Sequence, residues 1–189
     1  SLQSPAGTVI PNGIQTDALF SRHRMPRLGG AMLEMIIAGG QTGVDRAALD
    51  AALELGFRCG GWCPRGRKAE DGRIPMCYPL RETPDADYRS RTEWNVRDAD
   101  ATLVLVWGPG SGGTQLSINL AQWLDKPLLV VDLAVDPNPE EVRAWLASGG
   151  FESLNVAGPR ESSSPGIHRL AHAFLLAALA PAGSPAASA

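Results

Sequence analysis

Met35-Ile36-Ile37-Ala38-Gly39-Gly40-Gln41-Thr42-Gly43-Val44-Asp45-Arg46-Ala47-Ala48-Leu49-Asp50 runs from a short apolar segment through a glycine-rich turn into an amphipathic stretch of helical length. An apolar run bounded by glycines reads as a strand buried on both faces, and the stretch after it reads as a helix laid on that strand. The same alternation continues along the chain. Apolar runs at 35–38, 102–107, 128–132 and 154–157, with a possible short one at 57–60, alternate with helical patterns at 44–55, 85–97, 114–124, 139–148 and 167–179. That order predicts an α/β fold: a central parallel sheet of four or five strands with helices on both faces. Asn138 before Pro139, followed by Glu140 and Glu141, is a capped helix start with acidic residues at its positive end. No internal repeat is visible.

The 189 residues, 44% hydrophobic and 20% charged, suffice for one buried core, and 32–180 is expected to form a single domain. Residues 1–31, rich in Ser, Pro, Gly and Arg, read as a disordered extension or expression remnant, with Met25, Met32 and Met35 as candidate starts. Residues 181–189 read as a disordered Ala/Pro/Ser tail. A formal net charge of −3 gives no general pull toward nucleic acid or an anionic membrane, so neither is expected as a partner. No signal peptide is recognisable, and the apolar run 170–179 is too short to span a bilayer. Cys59, Cys63 and Cys77 are an odd, unevenly spaced set, which argues against a disulfide framework or a structural zinc knuckle and for a cytoplasmic setting.

Three strand-to-helix loops are candidates for ligand chemistry, because in an open parallel sheet they emerge together at the carboxyl ends of the strands. In the first, Gly39, Gly40, Gln41, Thr42 and Gly43 let backbone amides approach an anion at a helix start. Thr42 is a candidate cap, and Asp45 and Arg46 in the first turn face the ligand or brace the loop. The second, Gly108-Pro109-Gly110-Ser111-Gly112-Gly113-Thr114, satisfies G-x-G-x-x-G, and Asp132 at the end of the following strand is a candidate for a ribose hydroxyl. Pro109 breaks the nucleophile-elbow pattern around Ser111, which argues against a serine hydrolase. The third carries Arg160, Ser162, Ser163 and Ser164, a set suited to an oxyanion.

The segment 61–75 is not a P-loop; it is either a solvated surface loop or a lid. Glu70 and Asp71 within it, with Glu93 further on, are the candidate catalytic carboxylates. Glu93 also forms an i,i+4 pattern with Arg97, for which a surface salt bridge is the expected role. His168 and His172 share a helix face, but no third ligand is placed beside them by the sequence, so no metal is expected there.

The stretches 38–50, Gly61-Trp62-Cys63-Pro64, Arg67-Lys68-Ala69-Glu70-Asp71-Gly72, Arg91-Thr92-Glu93-Trp94-Asn95-Val96 and 154–160 together resemble the "putative molybdenum carrier" family, in the circularly permuted YpsA-related branch of the SLOG superfamily. The resemblance spans nearly all of 35–178. It implies a Rossmann-like three-layer sandwich that binds nucleotides or nucleotide-like ligands, with molybdenum cofactor carriage proposed for relatives. The superfamily includes the LOG phosphoribohydrolases, whose pattern P-G-G-x-G-T-x-x-E is matched here by 109–117, except that Ser117 replaces the catalytic glutamate. A hydroxyl does not supply a carboxylate's base or cation-stabilising role, so LOG-type hydrolysis is not expected at this position.

The expectation is therefore a carrier of a phosphorylated ligand, either molybdenum cofactor or a nucleotide of the AMP, NAD or ADP-ribose type. A nucleotide-processing hydrolase and a nucleotide-sensing signalling module are the alternatives. By analogy with relatives, a homodimer or homotetramer is expected.

Overall fold

The structure, a computed structural model, describes residues 32–108 and 112–180. The expected extension at 1–31, the expected tail at 181–189, and Pro109, Gly110 and Ser111 lie outside the described residues. In chain order the elements are β1 (Met35–Ile37), α1 (Val44–Leu55), β2 (Arg58–Cys63), β3 (Lys68–Ala69), β4 (Gly72–Arg73), β5 (Leu80–Glu82), α2 (Tyr88–Asp98), β6 (Ala101–Val106), α3 (Gly112–Trp123), β7 (Leu128–Asp132), α4 (Pro139–Gly149), β8 (Ser153–Ala157) and α5 (Ile167–Leu179).

Six of these strands form one parallel sheet in the order β5-β2-β1-β8-β6-β7, and β3 with β4 forms a separate antiparallel hairpin. Four or five strands were expected; the added one is β5, an edge strand of three residues in which only Leu80 is buried. The run expected at 57–60 extends as β2 to Cys63, because Gly61, Trp62 and Cys63 pair with β5.

Alternation along the strands divides the core. Ile36, Leu103, Leu105, Leu154 and Val156 face a large cluster that includes Val44, Ala48, Leu49, Val142, Ile167 and Leu175, so α1, α4 and α5 cover one face. Met35 and Ile37 point the other way, toward Ala99, and Val96 packs with Leu120 and Ala121, so α2 and α3 cover the second face. Leu49 and Val44 are fully buried; burying each contributes about 1.5–3 kcal/mol against the entropy of ordering the chain.

The helix α2 starts three residues later than expected. Asp87 caps it by accepting from Arg89 N–H at 3.0 Å, and Asp85 accepts from Asp87 N–H and the Ser90 hydroxyl, so 85–87 is folded as a cap. No helix among the described residues is long and apolar enough to cross a membrane.

Candidate functional site

The turn after β1 is built around Asp45. Its carboxylate, 4% exposed, accepts from Gln41 N–H at 3.3 Å and from Arg91 Nη1 at 2.7 Å. Arg91 comes from α2 on the opposite face and lies across Gly39, where any Cβ would collide with its guanidinium. The N-cap of α1 is Gly43 at φ 77°, not Thr42. A Cβ on Gly43 would meet Arg160 and Glu161 backbone at 2.9 Å, because the loop leaving β8 packs directly on it and Val44 N–H donates to Pro159 carbonyl at 3.1 Å. The amides of Gln41, Thr42 and Val44 all have partners within the chain, Thr42 N–H donating to Gln41 Oε1 at 3.0 Å.

Thr42, freed from capping, joins Ser162 and Arg160 around a carboxylate. The β3–β4 hairpin carries Glu70 and Asp71 at its two-residue tip and lays them on these loops. Glu70 Oε1 accepts from the Thr42 hydroxyl and, at 3.1 Å, from Ser162 N–H; its Oε2 accepts from the Ser162 hydroxyl and lies 3.9 Å from Arg160 Nε. Burial alone would raise the Glu70 pKa, but the bonds from Ser162 and Thr42, helped by Arg160, hold it below the ordinary carboxylate value. Glu70 N–H donates to Gln41 Oε1 at 3.0 Å. Asp71 takes both ends of the Arg46 guanidinium, at 2.5 and 2.7 Å, which lowers its pKa and raises that of Arg46, while Arg46 Nε donates to Gly40 carbonyl.

The root of this hairpin is fixed by Arg67, 3% exposed, which donates to the carbonyls of Ile74, Leu80, Pro75 and Tyr78. Ser163 and Ser164 do not join Ser162; their amides fold back on the Arg160 carbonyl. Glu161 turns to the start of α5, accepting from Gly166 and His168 amides.

The second loop is described only at its ends. Gly108 N–H donates to Asp132 Oδ1 at 2.9 Å, and the same oxygen accepts from Ala134 N–H, capping the short helical turn Leu133–Val135. These two amides lower the Asp132 pKa. Thr114 and Ser117 are both buried in α3, whose first residues are Gly112 and Gly113.

Glu93 does not converge on these loops: it is turned by about 200° around α2 from Arg91. Nor does it hold Arg97 as expected, since Arg97 pairs with the adjacent Asp98 at 2.7 Å while lying over the Trp94 ring. His168 and His172 do share a face of α5, their rings stacked 6.0 Å apart, and they meet Asp50 at 2.9 Å and Glu54 at 3.2 Å. Among the described residues, no group of three or more His, Cys, Asp or Glu is arranged to hold a metal ion.

Several residues of this edge went unforeseen. Asn95 clamps the Trp62 backbone through both its amide atoms, at 2.7 and 3.0 Å. Tyr78 donates to Asp50 at 2.8 Å, tying the segment after β4 to α1. Tyr88, partly exposed at the start of α2, has the guanidinium carbons of both Arg91 and Arg160 6.0 Å from its ring centre. Of these only Asn95 had a sequence signal, the resemblance around 91–96; Tyr78 and Tyr88 lie outside every stretch that carries it.

The solved structure of a "Putative molybdenum carrier protein" from Syntrophus aciditrophicus SB is similar to this chain, with 41% identity and a TM-score of 0.75 over 80% of this chain and 98% of that one. No curated protein matches the chain significantly. The family model described as the circularly permutated YpsA SLOG family matches residues 36–179, over the whole sheet from β1 to α5, and the chain belongs to that family.

Proposed function

We propose that the protein binds and carries a small phosphorylated ligand at the carboxyl edge of its sheet, with molybdenum cofactor or a nucleotide of the AMP, NAD or ADP-ribose type as the ligand class. One observation carries the choice of carrier over enzyme: the carboxylates that reach this edge are engaged in holding it together. Asp45 is held by Arg91 and Gln41, Glu70 by Thr42 and Ser162, Asp71 by Arg46, and Asp132 by two amides. A carboxylate saturated with donors is a poor general base, and Glu70, Asp71 and Asp132 are in addition held below their ordinary pKa by those donors.

In this reading the ligand phosphate is met by the donors Thr42, Arg160 and Ser162, and by the glycine amides that open α3 at Gly112 and Gly113. The carrier role is supported by family membership and by the similar protein's own description. Thermal-shift measurements with molybdopterin, AMP, NAD and ADP-ribose test the binding; stabilisation by one of them is expected, and none by any would contradict it. Incubation with nucleoside monophosphates tests the carrier role: release of free base, lost in Glu70→Ala, would make the protein a hydrolase instead.

A further inference from the structure

Glu70 is held in the way a bound anion would be held. The four groups around it are all donors: the Thr42 hydroxyl, the Ser162 hydroxyl, the Ser162 amide and the Arg160 guanidinium. The hydroxyl of Thr42 cannot turn its proton elsewhere without loss, because its oxygen already accepts from Glu161 N–H at 3.2 Å, which directs the proton into the seat. The seat does not depend on Glu70 for its shape. Its two walls are locked to each other by the Val44–Pro159 bond and by the close packing of Gly43 on 159–161.

A planar carboxylate also fills this seat incompletely. Glu70 spends its two oxygens on Thr42 and Ser162, and Arg160, with its side chain 44% exposed, is left 3.9 Å away. A tetrahedral oxyanion offers a third oxygen in that direction. The hairpin tip that delivers Glu70 is two residues long, whereas its root is anchored by Arg67 and by the buried Ile74. The Glu70 side chain can leave the seat by rotating about its own bonds, while Asp71 on Arg46 and the Glu70 amide on Gln41 keep the tip in place.

We propose that this seat is a binding site for a tetrahedral oxyanion, the phosphate of a monoester or a free inorganic anion, and that Glu70 is its built-in competitor, displaced when the oxyanion enters. The inference rests on the proposed function for the class of ligand and for the donors that meet it, and it adds what the anion must displace to reach them. A competitor that occupies the seat nine-tenths of the time weakens apparent affinity about tenfold.

Calorimetric titration of the full chain with inorganic phosphate and, separately, with AMP tests it, using wild type, Glu70→Ala, Glu70→Gln and the triple variant Glu70→Ala/Thr42→Val/Ser162→Ala. Both single variants should bind phosphate or AMP about tenfold tighter than wild type, and the triple variant should lose that gain. The probe that gains more identifies the source as free anion or monoester. Unchanged or weaker binding in both single variants overturns the proposal, as does a triple variant that binds like Glu70→Ala. A larger ligand that binds wild type and Glu70→Ala equally would overturn this inference while leaving the proposed function standing. A gain for phosphate with no phosphorylated ligand bound by any variant would uphold the seat and remove the carrier reading.

Discussion

Arg91 crosses Gly39 to place Nη1 2.7 Å from Asp45 Oδ2, joining a helix on one face of the sheet to the first turn of a helix on the other. The pair is largely buried, with side-chain exposures of 15% for Arg91 and 5% for Asp45. Losing the cation strands a carboxylate out of water, which costs about 3–5 kcal/mol. Arg91→Ala is therefore expected to lower unfolding free energy by that order in urea titrations, and Gly39→Ala to destabilise in the same direction. An Arg91→Ala variant as stable as wild type would show that the pair does not hold this edge.

Arg67 bonds four carbonyls with one guanidinium; Arg67→Met removes that donor from the Ile74 and Leu80 carbonyls, while those of Pro75 and Tyr78 keep the amides of Tyr78 and Leu80. With about 1–3 kcal/mol for each buried group left unsatisfied, a loss of about 3 kcal/mol or more is expected. Limited proteolysis should then cut within 64–79 before any other described segment. Resistance there equal to wild type would contradict the anchoring role.

Glu70 and Asp71 both have folded pKa values below their ordinary ones, held down by Ser162 and Thr42 in one case and by Arg46 in the other, against the effect of burial. Their contribution is present above the unfolded carboxylate values, about 4, and is lost as pH falls through the lower folded values. Acidification should therefore loosen the hairpin tip before the sheet. Amide hydrogen exchange at 68–73 should rise, relative to β1 and β8, as pH drops below about 4, after correction for intrinsic rates. Uniform protection across both regions would refute the tether.

Tyr78 has its pKa raised by burial and by its bond to the Asp50 carboxylate. The folded state therefore favours the neutral phenol: its contribution is full below the unfolded value near 10 and declines as pH rises above it. In a Tyr88→Phe background, phenolate absorbance should appear only with alkaline unfolding. A free titration near pH 10 in folded protein would show that Tyr78 is not held by Asp50.

The layered sheet was legible because β1, β6 and β8 are buried runs with helical patterns between them. β5 was not, since a three-residue strand with one buried side chain has no periodicity to detect. The polar clamps were hidden for a related reason. Arg91 and Asn95 sit on the inward face of α2, where their partners Asp45 and Trp62 lie far away in sequence, so α2 reads as a solvated helix. Asp132 looked available for a ligand until the pairing Val106↔Asp132 set it beside Gly108. Thr42, Arg160 and Ser162 were chosen as separate anion-binding residues; that they share one seat follows from β1 and β8 being neighbours, which strand order alone determines.

The most direct test of ligand carriage is a calorimetric titration of the full chain with molybdopterin, AMP and ADP-ribose, repeated on Arg160→Ala. Saturable binding of one of them is expected, weakened about tenfold or more by loss of the guanidinium, as for a hydrogen bond to a charged group. Absence of binding by all three, or an Arg160→Ala variant that binds as wild type does, would contradict that expectation.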